Sequence, residues 1–303
     1  MKYVITLILS ICNSLFIFKS DELSLVWEEE ITFTSNHQAP PTLGIHPSRM
    51  SKEVVTIASS SPNHINVSVH QSDGEIGSMV WDCGILLSSF LIQSAVCNGQ
   101  LVLELGSGTG ICGLVASNTG CENIVLTDLI DIIPQLEDNL HTFDGSNLEV
   151  QSLDWFSYFA DWNLFFFFLW FYREDETSDL LKSSYDVVLC SDCFYEPKAV
   201  PFLLKILSIL SAQNPNCSFF LTIKYRHLGR EKEFIQQLQK SFHTQFLSSK
   251  SKQIILSKYE VDISGGGTEW RMEKNEGGKR EELVDEKLVQ SLDQLELIWC
   301  TPL

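Results

Sequence analysis

The densest chemistry in this chain lies in seven consecutive residues, Glu104-Leu105-Gly106-Ser107-Gly108-Thr109-Gly110. Three glycines at alternate positions let backbone approach a ligand that a Cβ would push away. An acidic side chain just ahead of them suits a ligand with a cationic ammonium group and would repel a pyrophosphate. Further carboxylates are spaced to join it. Asp128 follows Gly106 by 22 residues (128 − 106), near the spacing of about 20 at which an acid on a strand tip accepts from ribose hydroxyls. A helix N-cap is the competing reading of Asp128, because Asp131 and Pro134 follow closely. Asp154 stands beside Trp155, a carboxylate able to accept from an adenine amino group next to an indole able to cover the adenine face. Asp192-x-x-Tyr195 completes the set with an acid and a phenol three residues apart.

A rival pattern overlaps the glycines. Gly108-Thr109-Gly110-Ile111-Cys112-Gly113 matches G-x-G-x-x-G, the dinucleotide fingerprint. That fingerprint should begin where its strand stops, and here Leu105 hands over to Gly106. S-adenosylmethionine carries an ammonium and a sulfonium, whereas NAD carries two phosphates, so Glu104 favours the former. Cys190-x-x-Cys193 has metal or redox spacing but lacks a second pair and a nearby His.

These residues need elements to hold them. Residues 101–105 read as a buried strand and residues 111–118 as a helix whose N-terminus faces the ligand, the opening of a doubly wound nucleotide-type fold. An apolar helix to about residue 96 follows Trp81, which a core position would explain as well as a ligand contact. The second strand spans 123–127 and delivers Asp128, a helix ends at Asp138-Asn139-Leu140, and the third strand spans 147–153. The fourth, 185–190, runs into Ser191-Asp192 and lies beside the first over the ligand crevice. A helix over 198–212, a fifth strand over 217–223, a helix over 230–242, a sixth strand over 253–256 and a strand over 292–300 complete the pattern. Lys224, Arg226 and His227 at the fifth strand's tip read as a solvated loop more than as substrate contacts.

Composition narrows the class. The chain of 303 residues, 44% hydrophobic, can bury one large core. Its formal net charge of −18 argues against unaided nucleic-acid binding and favours a basic protein partner. Nine cysteines without regular spacing suit a reducing compartment.

Glu104-Leu105-Gly106-Ser107-Gly108-Thr109-Gly110, Leu153-Asp154-Trp155 and Asp192-x-x-Tyr195 together resemble the seven-strand, S-adenosylmethionine-dependent methyltransferases, and within them family 16, the non-SET protein-lysine methyltransferases. The resemblance runs over residues 50–300. It implies an α/β, Rossmann-like sheet in the order 3-2-1-4-5-7-6, its last strands antiparallel, with helices on both faces. It implies S-adenosylmethionine as cofactor, bound by Trp81, Glu104, Gly106, Ser107, Gly108, Gly110, Asp128, Asp154, Trp155 and Ser191. Asp192 and Tyr195 would be the catalytic pair, acting on a lysine ε-amine of a protein, with no metal. A monomer in the nucleus or cytoplasm is the corresponding expectation. The alternatives are a small-molecule or nucleic-acid methyltransferase on the same fold, a cofactor-binding module without turnover, and, on register least favoured, an NAD oxidoreductase.

Three stretches stand apart. Residues 1–20 form a hydrophobic leader that reads as a signal peptide, a short anchor or a misassigned start, the source of an alternative membrane-anchored or secretory location. Residues 21–78 read as a β-rich extension ahead of the methyltransferase domain at 79–303, with strands over 54–57 and 65–69 paired as a hairpin. Residues 156–184 form an insertion containing nine large apolar residues, 164–172, which reads as a partner or membrane surface or as translated intron.

Overall fold

The computed structural model of the chain describes residues 27–28, 53–59, 65–71, 76–141, 143, 145–156, 179–257, 259–264 and 294–303. The leader at 1–20, the apolar run at 164–172 and the charged loop at 265–286 lie outside them. In chain order the strands are β1 (Trp27–Glu28), β2 (Glu53–Ser59), β3 (Asn66–Gln71), β4 (Leu101–Leu105), β5 (Asn123–Asp128), β6 (Leu148–Ser152), β7 (Val187–Ser191), β8 (Ser218–Lys224), β9 (Phe242–Leu247), β10 (Tyr259–Ser264) and β11 (Leu295–Pro302). The helices are α1 (Asp82–Ser94), α2 (Ile111–Asn118), α3 (Ile133–His141), α4 (Val200–Gln213), α5 (Leu228–Leu238) and α6 (Ser249–Ser257).

The main sheet has the order β1-β9-β11-β8-β7-β4-β5-β6. Read from β6, this is the anticipated 3-2-1-4-5-7-6 with β1 added at the edge. β4, β5, β6, β7 and β8 pair in parallel. β11 runs antiparallel to both β8 and β9, so β9 points with the parallel set and β11 alone reverses within the seven. The order changes direction between β4 and β7, and ligands of such sheets bind at the carboxyl ends of the strands on either side of that switch.

Both faces of the central strands are covered, which is why β4 and β8 read as continuous apolar runs. On one face Val102, Ile124, Leu126, Val187 and Leu189 pack with α1, α2 and α3. On the other, Leu103, Leu105, Val125, Val188 and Cys190 pack with α4 and α5. Residues 82–91 of α1 are buried throughout, so this helix lies inside the domain.

The hairpin forms as anticipated, with β2 antiparallel to β3. β10 extends it into a second, three-stranded sheet. Val67 and Val69 of β3 join the core formed by α1 and α2.

Two element assignments change. Residues 253–256, expected as the sixth strand, belong to α6, and the sixth strand is β9. The helix expected to reach residue 242 stops at Leu238. A short apolar run such as Ile254-Ile255-Leu256 is compatible with either period, and here Ile255 packs into the α1–α2 core. Lys252 of α6 is 1% exposed, donates to the Leu295 carbonyl at 2.6 Å and pairs with Glu296 at 3.2 Å.

A candidate methyl-transfer site at the ends of β4 and β7

β4 stops at Leu105, and the chain turns through Gly106, Gly108 and Gly110 at φ +65°, +54° and +82° before α2 begins. All three occupy the left-handed region that L side chains avoid. A Cβ on Gly106 would sit 2.5 Å from Cys193 Sγ, and one on Gly108 would sit 2.9 Å from the Gly77 carbonyl oxygen. The glycines therefore give the loop both its path and its room. Gly113, last residue of the rival fingerprint, lies inside α2, where a Cβ would meet Glu104 Oε2 at 2.6 Å. Its role is close packing of helix on strand.

Glu104 is 1% exposed and its Oε2 has no hydrogen-bond partner. The side chain lies under the start of α2, so it sits beneath the glycine loop. Burial pushes its carboxyl up to about 8, against contacts with Ser107 and Gly113 that pull it down. Asp128 ends β5 with its oxygens 2.7 Å from the amides of Gly108 and Leu129. It ties the glycine loop to the turn after β5; the helix N-cap reading is corrected, because α3 begins only at Ile133. Burial raises its carboxyl above the ordinary range, and the two amides oppose that rise. Ser107 is tied to β5: its amide donates to the Thr127 carbonyl at 2.9 Å and its Oγ accepts from the Thr127 amide at 3.1 Å.

Trp155 packs near Gly106, with its Cζ2 3.7 Å from the position a Cβ there would take. Asp154 Oδ1 accepts from the Phe156 amide at 2.9 Å. Ser191 ends β7 with its Oγ 3.2 Å from the Thr222 hydroxyl, on the α1 side of the sheet. Trp81 stands at the N-terminus of α1, its indole N–H donating to the Ile76 carbonyl at 3.0 Å. Tyr195 is 51% exposed, at the mouth, and burial of the rest of the ring raises its phenol further above its ordinary range. The structure thus gathers Gly106, Ser107, Gly108, Gly110, Asp128 and Trp155 around one turn, with Asp192 next to it on the β7 exit. Ser191 and Glu104 face the interior beneath.

Asp192 is 6% exposed and, unusually for a residue with a Cβ, left-handed at φ +56°. Its carboxylate takes both arms of Arg226, Nη1 to Oδ1 and Nη2 to Oδ2, each at 2.7 Å. The guanidinium also lies 5.6 Å from the centre of the Trp81 ring, within cation–π reach. Burial would lower the Arg226 pKa, but the Asp192 carboxylate outweighs it and raises it. Glu231, 4% exposed, accepts from the amides of Arg226 and His227 and fixes the loop carrying the guanidinium. Lys224, 7% exposed, is paired with Asp82. The expectation of a solvated loop over 224–227 is corrected for Lys224 and Arg226, because α1 and the β7 exit each present a carboxylate to this strand tip.

Asn139, fully buried in α3, is a positioning residue that periodicity could not reveal. Its amide nitrogen donates to the carbonyls of Thr109, at 2.9 Å, and His70, at 3.0 Å, tying β3 to the glycine loop. Cys190 and Cys193 share a hydrogen bond; that contact and burial push the Cys193 thiol up. Among the described residues, no group of three or more His, Cys, Asp or Glu is placed to hold a metal ion.

A cradle that side chains would fill, an acid at the second strand tip and an aromatic wall fit S-adenosylmethionine, and the fold and site define a methyltransferase that uses it. A protein-family model described as lysine methyltransferase matches residues 60–163 and 168–241, more than half of the chain. The chain belongs to that family. A Schizosaccharomyces pombe protein named diaminohydroxyphosphoribosylamino-pyrimidine deaminase is 27% identical over 231 residues, 73% of this chain and 52% of that protein, so the chain spans about half the length of this relative. The protein N-lysine methyltransferase METTL21A of Danio rerio is 28% identical over 176 residues, 56% of this chain and 70% of that protein. Among solved structures, the T. thermophilus 16S rRNA N2 G1207 methyltransferase, in complex with AdoMet and guanosine, aligns with a TM-score of 0.43 and 16% identity, over 70% of this chain and 50% of that one.

Proposed function

We propose that this methyltransferase modifies the ε-amine of a lysine on a protein substrate. The carrying observation is the Asp192–Arg226 pair set beside the glycine cradle, with Tyr195 exposed at its mouth. When bound, the cofactor supplies an activated methyl on a sulfonium leaving group, so the protein's task is mainly to position donor and acceptor. Gly106 to Gly110 would admit it closely, Asp128 would accept from its ribose and Trp155 would wall it, while Trp81 lies against Arg226. Glu104, buried beneath the loop, provides the negative charge that an ammonium nearby would favour.

The acceptor amine must arrive neutral. A free carboxylate would hold it as ammonium, but Arg226 neutralises Asp192, and the aromatic surroundings disfavour charge further. Asp192 then serves as a hydrogen-bond acceptor that orients the amine, while the two arms of Arg226 hold its carboxylate in place. Tyr195 shapes the entrance to this channel. The chain's net charge of −18 favours a basic substrate surface. We place the protein in the nucleus or cytoplasm, a reading supported by eight free, buried cysteines among the described residues, and take it as a monomer. In its alternating terminal run the chain resembles methyltransferase-like protein 22.

The test is transfer of labelled methyl from S-adenosylmethionine to proteins of a host lysate by wild type and Asp192→Ala, after cofactor binding is verified for both. Label recovered as methyl-lysine and lost in the variant supports the reading. Cofactor bound with no protein labelled removes it in favour of a small-molecule acceptor or a module without turnover.

A further inference from the structure

Protein N-methylation has two main acceptor chemistries, the primary amine of lysine and the planar guanidine of arginine. An isolated aspartate at the acceptor position would suit the second well, because carboxylate and guanidinium match as a fork. In this chain that fork is already filled. Arg226 takes Oδ1 and Oδ2 of Asp192 at 2.7 Å each. The occupant is held from behind by Glu231, which fixes the Arg226 and His227 amides, and from the side by the Trp81 face. Asp192 cannot readily swing away, being 6% exposed and lodged in a left-handed backbone conformation.

We infer that Arg226 is a specificity-determining residue that excludes arginine acceptors by occupying, from within the chain, the bidentate position a substrate guanidinium would need. The inference rests on the protein-lysine reading. A bidentate partner uses one lone-pair site on each carboxylate oxygen and leaves the outer ones, which face opposite sides. A lysine amine needs only one such acceptor. A guanidinium would need two parallel ones and would bring a second positive charge against Arg226. The same contact that admits lysine therefore rejects arginine, by filled geometry and by like charge.

The experiment uses the full chain as wild type, Arg226→Ala and Arg226→Lys, with labelled S-adenosylmethionine and host lysate proteins, followed by acid hydrolysis and separation of methylated amino acids. Wild type should give methyl-lysine without methyl-arginine. Arg226→Ala should lose roughly tenfold or more in methyl-lysine and raise the methyl-arginine share, the size of effect expected when a buried polar group loses its partner. Arg226→Lys holds only one oxygen and should lie between them. Methyl-arginine from wild type, or a folded Arg226→Ala with the wild-type rate and product ratio, overturns the inference. Should Arg226→Ala fail to fold, Arg226→Lys decides by the same criterion. If wild type binds cofactor but labels no protein, the protein-lysine reading has failed, and the filled fork is then judged by rescue. Millimolar methylguanidinium should raise the melting temperature of Arg226→Ala, leave wild type unmoved, and exceed the effect of methylammonium. Equal responses from all three comparisons overturn the occupancy itself.

Discussion

Glu104→Gln tests the electrostatics of the cofactor site without touching its shape. The carboxyl is 1% exposed, one of its oxygens has no partner, and burial raises it from 4.5 to about 8. A folded-state pKa above the unfolded one means that the folded chain binds more protons between these two values. Stability from this group is complete below about pH 4.5 and is lost as pH rises through 8. At ~1.36 kcal/mol per pH unit, the interval corresponds to about 5 kcal/mol. For a chain of this length that is roughly 10 °C in Tm, at about 2 °C per kcal/mol. Glutamine keeps the volume and removes the titration. Melting of cofactor-free protein at pH 5, 6, 7, 8 and 9 should show wild type losing stability relative to the variant up to about pH 8, with no further relative change above it. Added cofactor, with its ammonium and sulfonium, should draw the carboxyl toward its charged form, so binding should release a proton near pH 7 in wild type and not in Glu104→Gln. Calorimetry in buffers of differing ionisation enthalpy reads that proton. Parallel stability profiles for the two proteins would refute the burial argument.

Asp128→Ala removes the acceptor at the tip of β5 and, by the value of charged hydrogen bonds, about 1.5–3 kcal/mol of cofactor affinity, or roughly ten- to a hundredfold; wild-type affinity by titration calorimetry would withdraw the ribose assignment. Gly106→Ala combines a left-handed backbone with a Cβ 2.5 Å from Cys193 Sγ, at a cost of about 1–3 kcal/mol for the overpacking plus about 1–2 kcal/mol for the backbone. Adding Cys193→Ala should restore the first part only, as read by urea unfolding, and complete restoration would show that backbone strain is absent. Asp82→Ala removes the carboxylate paired with the buried Lys224 ammonium, a loss of about 3–5 kcal/mol. The double substitution Asp82→Leu/Lys224→Met should recover most of it, and an equal loss in both proteins would mean that packing, not charge, holds α1 to β8.

The parallel half of the sheet was legible because its strands are buried on both faces and end in recognisable chemistry. Residues 101–105, 123–127 and 185–190 read as apolar runs leading to Gly106, Asp128 and Asp192, and the fold places those strand ends at one switch point. Where chemistry was lacking, reading failed. Phe242 to Leu247 and Gln253 to Leu256 are both short and mixed, and period alone could not say which was strand. Burial of Ile255 against the α1 core and pairing of β9 with β11 settled it. Asn139 gave no signal, because a buried amide inside a helix looks like any polar helical residue until the carbonyls of Thr109 and His70 come to meet it.

By itself, then, the sequence determined the class of cofactor and which strand tips carry the candidate site. Glycine spacing and strand-tip acids are local features, and their chemistry depends on neighbours only a few residues away or one strand over. Tertiary structure alone decided which charges pair at the strand tips. Asp82 and Lys224 are 142 residues apart, and Asp192 and Arg226 are 34 apart. Nothing local marks either lysine or arginine as a buried partner rather than a solvated side chain. Only the fold, by burying Asp82, Lys224 and Asp192 and seating the partly exposed Arg226 on the last, makes their attraction strong enough to hold a carboxylate in one orientation.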